Sequence, residues 1–513
     1  MTEHNYAFVR TQDAPVLDPP PSQVGITGWL WQNVFRSMAN YTSLQASVQS
    51  VAMIILTLVI FYVGLTGIWK LIDFMLVQAI WSDPGESKRL ACATTAQGGA
   101  LAADWYGACW PFVTAKWKLF IYGRFPEPEL WRPNLVFLML GAGIAWLTAD
   151  AIPRRKVVGV VLLAAAAFLA LMYETVVGAP FLERIGFWLL AVIGGILLLA
   201  PEGVGRKAVG LFMLAILPVA AFILLTGGDL EVSSGFWASW LPVTAVLLGA
   251  GFAGQRGMLG EAGEALGGTA FGLGALMAFV AVAVFLATLD LGMPVVETAE
   301  WGGLLVTLVV ALTGIVASLP LGVLLALGRR SSLPAVRLLS TVFIEFWRGV
   351  PLITVLFMSS VMLPLFLPEG TEFNKLLRAL IGVALFSAAY MAEVVRGGLQ
   401  AIPKGQYEGA EALGLPFWRM MNLIILPQAL VLVIPGIVNT FIGLFKDTTL
   451  VLIIGLFDLL GSVQSSFTDA SWSTPVQSMT GYVTAALMFF VFCFGMSRYS
   501  MYMEQKLRRG HAR

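Results

Sequence analysis

The chain has 513 residues; 58% are apolar, only 12% are charged, and the net charge is +1. Soluble domains carry about 25% charged residues, so a soluble fold is excluded and a polytopic membrane protein is implied. The net charge says nothing about partners, and no basic patch suggests nucleic acid, so none is expected.

Residues 1–49 read as a cytoplasmic tail, polar and proline-rich over residues 1–25. Residues 1–25 hold no signal-peptide core, so the first apolar run is expected to stay as a span. Crossing about 30 Å of hydrocarbon takes roughly 20 apolar residues. Seven such runs lie at about 50–75, 134–152, 157–177, 185–201, 207–227, 238–255 and 268–290. Five more lie at about 301–327, 338–366, 376–400, 424–445 and 478–502. The expected fold is therefore all-α, with about twelve transmembrane helices. With the N-terminus inside, twelve crossings place Arg154-Arg155-Lys156, Arg206-Lys207, Arg256, Arg329-Arg330, Lys404 with Arg419, and the tail 504–513 in the cytoplasm.

The loop of about 76–133 is the exception, because it is basic yet falls outside. It carries Lys88, Arg89, Lys116, Lys118, Arg124 and Arg132 among tryptophans and tyrosines. Two readings fit: a segment lying on the outer membrane surface, or an ordinary folded loop. Cys92 and Cys109 sit in this loop and could pair in an oxidising compartment, or remain two thiols. Cys493 lies in an apolar run and reads as a packing residue.

The run 424–462 is too long for one straight span and is interrupted by Lys446-Asp447-Thr448-Thr449. A helix broken near Asp447 is expected, and irregular backbone at membrane depth hints at a pathway. Ionisable residues inside spans are costly and usually face the bundle interior. Glu345, Arg348, Glu393 and Asp447 are therefore candidates for a substrate path, with Asn439 as a polar contact or an interhelical hydrogen bond. The competing reading is internal pairing one turn apart, Glu345 with Arg348 and Glu393 with Arg396.

Several chemistries are missing. No Gly-xxxx-Gly-Lys-Ser/Thr loop occurs, so ATP hydrolysis by this chain is not expected. The only histidines are His4 and His511, in the tails, which leaves no histidine-based metal site inside the membrane. No catalytic residues are nominated, and an embedded enzyme is not expected.

The segment Glu408 to Gln428 places a short, half-polar helix between two apolar runs. Pro403 suits its start, Gly414 suits a left-handed stop, and Pro416 blocks resumption. Gly405, Gly409, Ala410 and Ala412 leave little bulk, so another surface can approach closely. These residues resemble the EAA loop of ABC-importer permeases. The resemblance rests on Glu408-Gly409-Ala410, then Gly414, then nine residues to Ile424-Ile425-Leu426-Pro427. Gly409 departs from the usual alanine and keeps the small size. The runs Phe343 to Leu352, Tyr390 to Gln406 and Leu444 to Leu450 resemble the polar amino-acid branch, and Tyr106 to Asn134 is similar to a loop of general L-amino-acid permease subunits. A similar-looking stretch, Glu261 to Gly267, lacks the following Ile-x-Leu-Pro and is read as coincidence.

The resemblance implies a permease core at about 300–503 with a coupling loop at about 402–422, preceded by a seven-span extension at 50–299. It implies an inner-membrane importer for polar or general L-amino acids. Its partners would be an ATP-binding subunit dimer carrying ATP and Mg, a second permease subunit and a periplasmic amino-acid-binding protein, within membrane lipid. Glu408, Gly409, Ala410, Glu411, Gly414, Ile424, Leu426 and Pro427 would form the ATPase contact. Two other classes stay open from the residues alone: an ion-gradient-driven secondary transporter, which also uses broken helices and buried carboxylates, and a membrane scaffold with a degenerate core.

Overall fold

The computed structural model describes residues 44–82, 90–152, 154–176, 184–201, 205–230, 232–256, 260–366 and 374–511. The tail up to residue 43, with His4, and the loop cations Lys88 and Arg89 lie outside the described residues. The described chain is all-α apart from isolated bridges. Helix α1 (Leu44–Ile72) belongs to a first unit with residues 105–108. Its large apolar side chains, Leu58 and Phe61 among them, are exposed, as they must be for a helix solvated by lipid. Within this unit Trp105 donates to the Gln78 carbonyl at 2.9 Å and the Phe74 and Tyr106 rings lie 5.2 Å apart.

The second unit holds 80–104 and everything from Cys109 onward. In chain order it contains α2 (Trp110–Tyr122), α3 (Trp131–Thr148), α4 (Arg155–Val176), α5 (Ile185–Leu199), α6 (Arg206–Thr226), α7 (Ser234–Gln255), α8 (Gly260–Ala287) and α9 (Gly303–Arg329). There follow α10 (Pro334–Gly349), α11 (Leu352–Phe366), α12 (Lys375–Ala401), α13 (Lys404–Ala412), α14 (Phe417–Leu432), α15 (Ile434–Ile454), α16 (Leu459–Ser466) and α17 (Gln477–His511). Among the described residues nine helices are long and apolar enough to cross a membrane, and ten if the bent pair α10 and α11 is one span. The expected twelve are compatible with this set, because the bent pair and the apolar helices α4 and α5 add three to the nine.

Two breaks differ from the expected spans. The segment expected as one helix over 338–366 bends by 103° between Gly349 and Leu352. The cause is local: Pro351 denies Val350 the helical region, and Val350 is extended at φ −105°, ψ 130°. The run 424–462 is interrupted twice: at Val433, ahead of Pro435, which was not expected, and at Asp447, where the α-helix ends as expected. Beyond Asp447 the backbone tightens into a 3-10 segment over Thr448–Ile454 that Gly455 closes.

Helix α9 is the spine, with α12 packed along it. At 1.5 Å per residue its 27 residues separate two ends by about 40 Å. At its first residue, Gly303 donates to the Phe457 carbonyl and the Ser462 hydroxyl, both at 2.9 Å. Gly303 has φ +62°, and a Cβ there would sit 2.3 Å from the Phe120 carbonyl oxygen, so only glycine fits. Helix α2 closes over this end: Phe112 and Phe120 are fully buried, and Arg124 N–H donates to Glu300. Lys116 pairs with Asp469 and holds its carboxyl well below the usual range. Cys92 and Cys109 are joined in a disulfide, Cα atoms 5.9 Å apart. The aromatic loop is therefore folded at this point; Trp117 packs against the core and Tyr122 is buried, its hydroxyl pushed upward in pKa by burial.

Candidate coupling site and the charged cluster beside it

Helix α13 sits at the opposite end of α9 from Gly303. Pro403 occupies its N-cap with φ −58°, ψ 141°, one position before the helix. Its end is a Schellman closure: Gly414 has φ +67°, its N–H bonds the Glu411 carbonyl, and Leu415 N–H bonds the Ala410 carbonyl at 3.2 Å. Pro416 then caps the next helix in an extended conformation. The nine-residue element has little apolar surface of its own, and tertiary contacts hold it. Ala410 is buried with Met420, Met421, Ile425 and Leu426. Gln406 and Gln428 are hydrogen-bonded at 3.0 Å, tying α13 to α14.

The remaining nominated residues divide by exposure. Glu408, Gly409, Glu411, Gly414 and Pro427 are exposed, whereas Leu426 is buried and Ile424 half-buried. A Cβ at Gly409 or Gly405 would meet nothing within 4 Å. The charges on α13 also run against its dipole, with Lys404 at the start and Glu411 in the last turn. Each such placement costs an exposed helix about 0.3–1 kcal/mol. Neither Glu408 nor Glu411 has an ion pair among the described residues. Two unpaired acids on an exposed face, one of them opposing the helix dipole, suit contact with something outside this chain.

Three of the five substrate-path candidates come together beside α13, in a cluster that includes residues the sequence reading used only as loop charges. Glu393 on α12 is its hub. It accepts from Arg329 of α9 at 2.6 Å and from Arg396 at 2.7 Å, and Arg348 of α10 lies 3.9 Å away. Glu345 pairs with Arg329 at 2.8 Å, so the expected Glu345–Arg348 pair does not form; the Glu393–Arg396 pair does. The hub therefore joins α9, α10 and α12, and three cations face two acids.

Arg330 connects the same end of α9 to α13. It donates to the Leu399 carbonyl at 3.2 Å and the Tyr407 hydroxyl at 3.1 Å, and its guanidinium lies 5.6 Å from the Tyr407 ring centre. Arg329, Arg330 and Tyr407 were missed as site residues. The available signal was an Arg-Arg pair ending an apolar helix, since one guanidinium can serve several acceptors in a fixed fork. Asn439 and Asp447 lie apart from the cluster on α15, the first exposed and the second half-buried. No group of acidic, histidine or cysteine side chains that could hold a metal is found among the described residues.

Residues 318–509 match the family described as binding-protein-dependent transport system inner membrane component. The chain is 37% identical over 511 residues to the glutamate/glutamine/aspartate/asparagine transport system permease protein BztC of Rhodobacter capsulatus, covering 98% of this chain and 99% of that one. It is 65% identical over 215 residues to the inner membrane amino-acid ABC transporter permease protein YhdY of Escherichia coli K12. That match takes in 42% of this chain and spans 58% of the length of that relative. Among solved structures, an amino acid ABC transporter crystallised with histidines aligns at 28% identity and a TM-score of 0.35, over 40% of this chain and 92% of that one. These relatives do not favour the ion-gradient alternative. The chain belongs to the inner-membrane permeases of ABC amino-acid importers, as a multi-pass transport subunit.

Proposed function

We propose that this permease core, about 300–503, moves amino acids inward when α13 is pushed by a nucleotide-binding partner. The observation that carries this reading is the construction of α13: a short exposed helix bearing the unpaired Glu408, yet tied to α9 by Arg330–Tyr407 and to α14 by Gln406–Gln428. A load on such a helix moves two membrane segments as a rigid body. ATP and Mg belong to the partner subunits, which hydrolyse the nucleotide; this chain binds neither. A periplasmic binding protein delivers substrate. One coupling helix per chain calls for two permease subunits, and the second is a related heteromeric chain.

The names of the relatives support glutamate, glutamine, aspartate and asparagine as substrates. The loop charges support cytoplasmic termini and a cytoplasmic α13. Within the charged cluster, Glu345, Arg348 and Glu393 serve the mechanical connection of α9, α10 and α12. Asn439 and Asp447, lying apart on α15, stay as the candidates for substrate contact.

The test is uptake into proteoliposomes holding the full complex. Glu408→Lys abolishes uptake while leaving insertion and subunit assembly intact. Uptake needs ATP and survives an uncoupler. Normal uptake by Glu408→Lys, or uptake by this chain with no ATPase subunit present, overturns the reading.

A further inference from the structure

A cavity of about 460 Å³ lies between α3, α6 and α9, where the N-terminal helices meet the permease core. Val136, Leu217, Ala221, Leu308 and Leu312 are among its walls, and all the other lining residues but two are apolar as well. The two exceptions are Thr313 and Trp301. Water inside such a space would need two to four polar partners per molecule, and the walls offer almost none. Left empty, the space would forfeit dispersion contacts on every side. Helices solvated by lipid gain no hydrophobic drive from associating, so an unfilled seam between them is a weak joint.

Two further observations say what fills it. First, the cavity reaches the surface of the spans. Its lining residues Leu214, Phe222 and Val316 are 61%, 42% and 41% exposed, and they sit on two helices long and apolar enough to cross a membrane. In the bilayer, the medium at that opening is hydrocarbon. Its size falls within the roughly 300–1,000 Å³ typical of small-molecule sites. Second, the same region holds buried donors without acceptors. Arg132 lies one turn before Val136 on α3 and is fully buried. It pairs with Glu129 and donates to the Pro294 carbonyl, yet its Nε has no hydrogen-bond partner. A Cβ at Gly227, two residues past the lining Leu225, would stand 3.2 Å from its Nη1. The indole N–H of Trp301 is likewise buried and without a partner. A fully buried cation with an open donor favours an anionic or carbonyl oxygen nearby.

We propose that this cavity is a phospholipid site. One acyl chain lies between α6 and α9, its ester or phosphate oxygens reach toward the Arg132 and Trp301 donors, and the bound lipid fastens the N-terminal helices to the permease core. The proposal rests on the membrane assignment and not on the coupling role of α13, so the uptake test of Glu408→Lys bears on one and not on the other.

The test reconstitutes the full complex in nanodiscs of phosphatidylethanolamine carrying a photoactivatable diazirine along one acyl chain. After illumination and proteolysis, adducts are expected on the α6 and α9 peptides that line the cavity. Ala221→Trp fills the space and lowers those adducts at least fivefold, while adducts on the exposed Leu58–Phe61 face of α1 stay unchanged. Equal labelling of the variant, or no adducts on the lining in the native chain, overturns the proposal. So do crosslinks from Thr313 to another subunit in place of lipid. Should Ala221→Trp fail to insert, a spin label on Thr313→Cys answers the same question. Lipid with a chain nitroxide is expected to broaden it more than the same label at the exposed Val161; equal broadening again overturns the site.

Discussion

Glu393→Gln is the substitution that most directly tests the charged hub. The change keeps the length of the side chain and one acceptor oxygen but removes the charge that faces Arg329, Arg348 and Arg396. Truncating one partner of a fully buried ion pair costs about 3–5 kcal/mol. Glu393 is only 17% exposed, but the three arginines are 26%, 36% and 31% exposed, so water recovers part of their solvation. The retained amide oxygen recovers a neutral hydrogen bond of about 1 kcal/mol. The net loss expected is about 2 kcal/mol. Glu345→Gln is the internal control: it loses one pair, Glu345 is 54% exposed, and such pairs contribute about 0–1 kcal/mol. Thermal unfolding of the reconstituted complex should therefore fall by several degrees for Glu393→Gln and by little for Glu345→Gln. Because the hub joins α9, α10 and α12 beside α13, amino acid imported per ATP hydrolysed should fall as well. An unchanged melting point with an unchanged transport ratio, or a larger effect from Glu345→Gln, would refute the assignment of Glu393 as the hub.

Three other outcomes follow from described geometry. Gly409→Ala should be neutral for uptake, because a Cβ there meets nothing and helix propensity improves by about 1 kcal/mol; Gly409→Trp should stop uptake with assembly intact. Loss of uptake in the alanine variant would show that the glycine is needed for its backbone. Asp458 caps α16 through Leu460 and Gly461 N–H and is fully buried, which pushes its carboxyl up to about 6. A raised folded-state value means that the folded chain holds its proton more tightly. Its contribution to stability is therefore greatest below the unfolded value near 4 and declines as pH rises through 6. Asp458→Asn keeps the cap and should remove that decline, read as a melting-point difference between pH 4.5 and 7; parallel curves would contradict the burial argument. Alkylation of the denatured, unreduced protein should label Cys493 alone, and reduction should add two sites; three labels without reduction would contradict the Cys92–Cys109 link.

The legible parts of this molecule were those decided by neighbours in sequence. Hydropathy located the spans, because twenty consecutive residues settle whether a helix can live in lipid. Pro403, Gly414 and Pro416 bounded α13, because caps and turns are local. The 103° bend at Pro351 was not anticipated, because hydropathy reads 338–366 as one apolar run. The break near Asp447 was legible as a charge in an apolar run, whereas the one at Val433 was not, because a proline near a helix start is a weaker signal. The charged hub was half legible. The Glu393–Arg396 pair is three residues apart and could be named, whereas Arg329 reaches Glu393 across 64 positions. The expected Glu345–Arg348 pair had the right spacing and failed because Arg329 offered Glu345 a partner from a neighbouring helix.

The clasp at the Gly303 end of α9 bears on how the chain is made. Lys116 waits for Asp469, which is 353 positions later, and the Cys109 N–H waits for the Thr480 hydroxyl, 371 positions later. A ribosome adding 5–20 residues per second leaves α2 without these two contacts for about 20–70 seconds. During that interval Phe112 lacks its late neighbour Trp472 and α2 has only part of its final packing, which leaves it a substrate for chaperones or membrane proteases. Nascent chains halted before about residue 480 should consequently be degraded fast, which makes the last helix a checkpoint for the whole subunit.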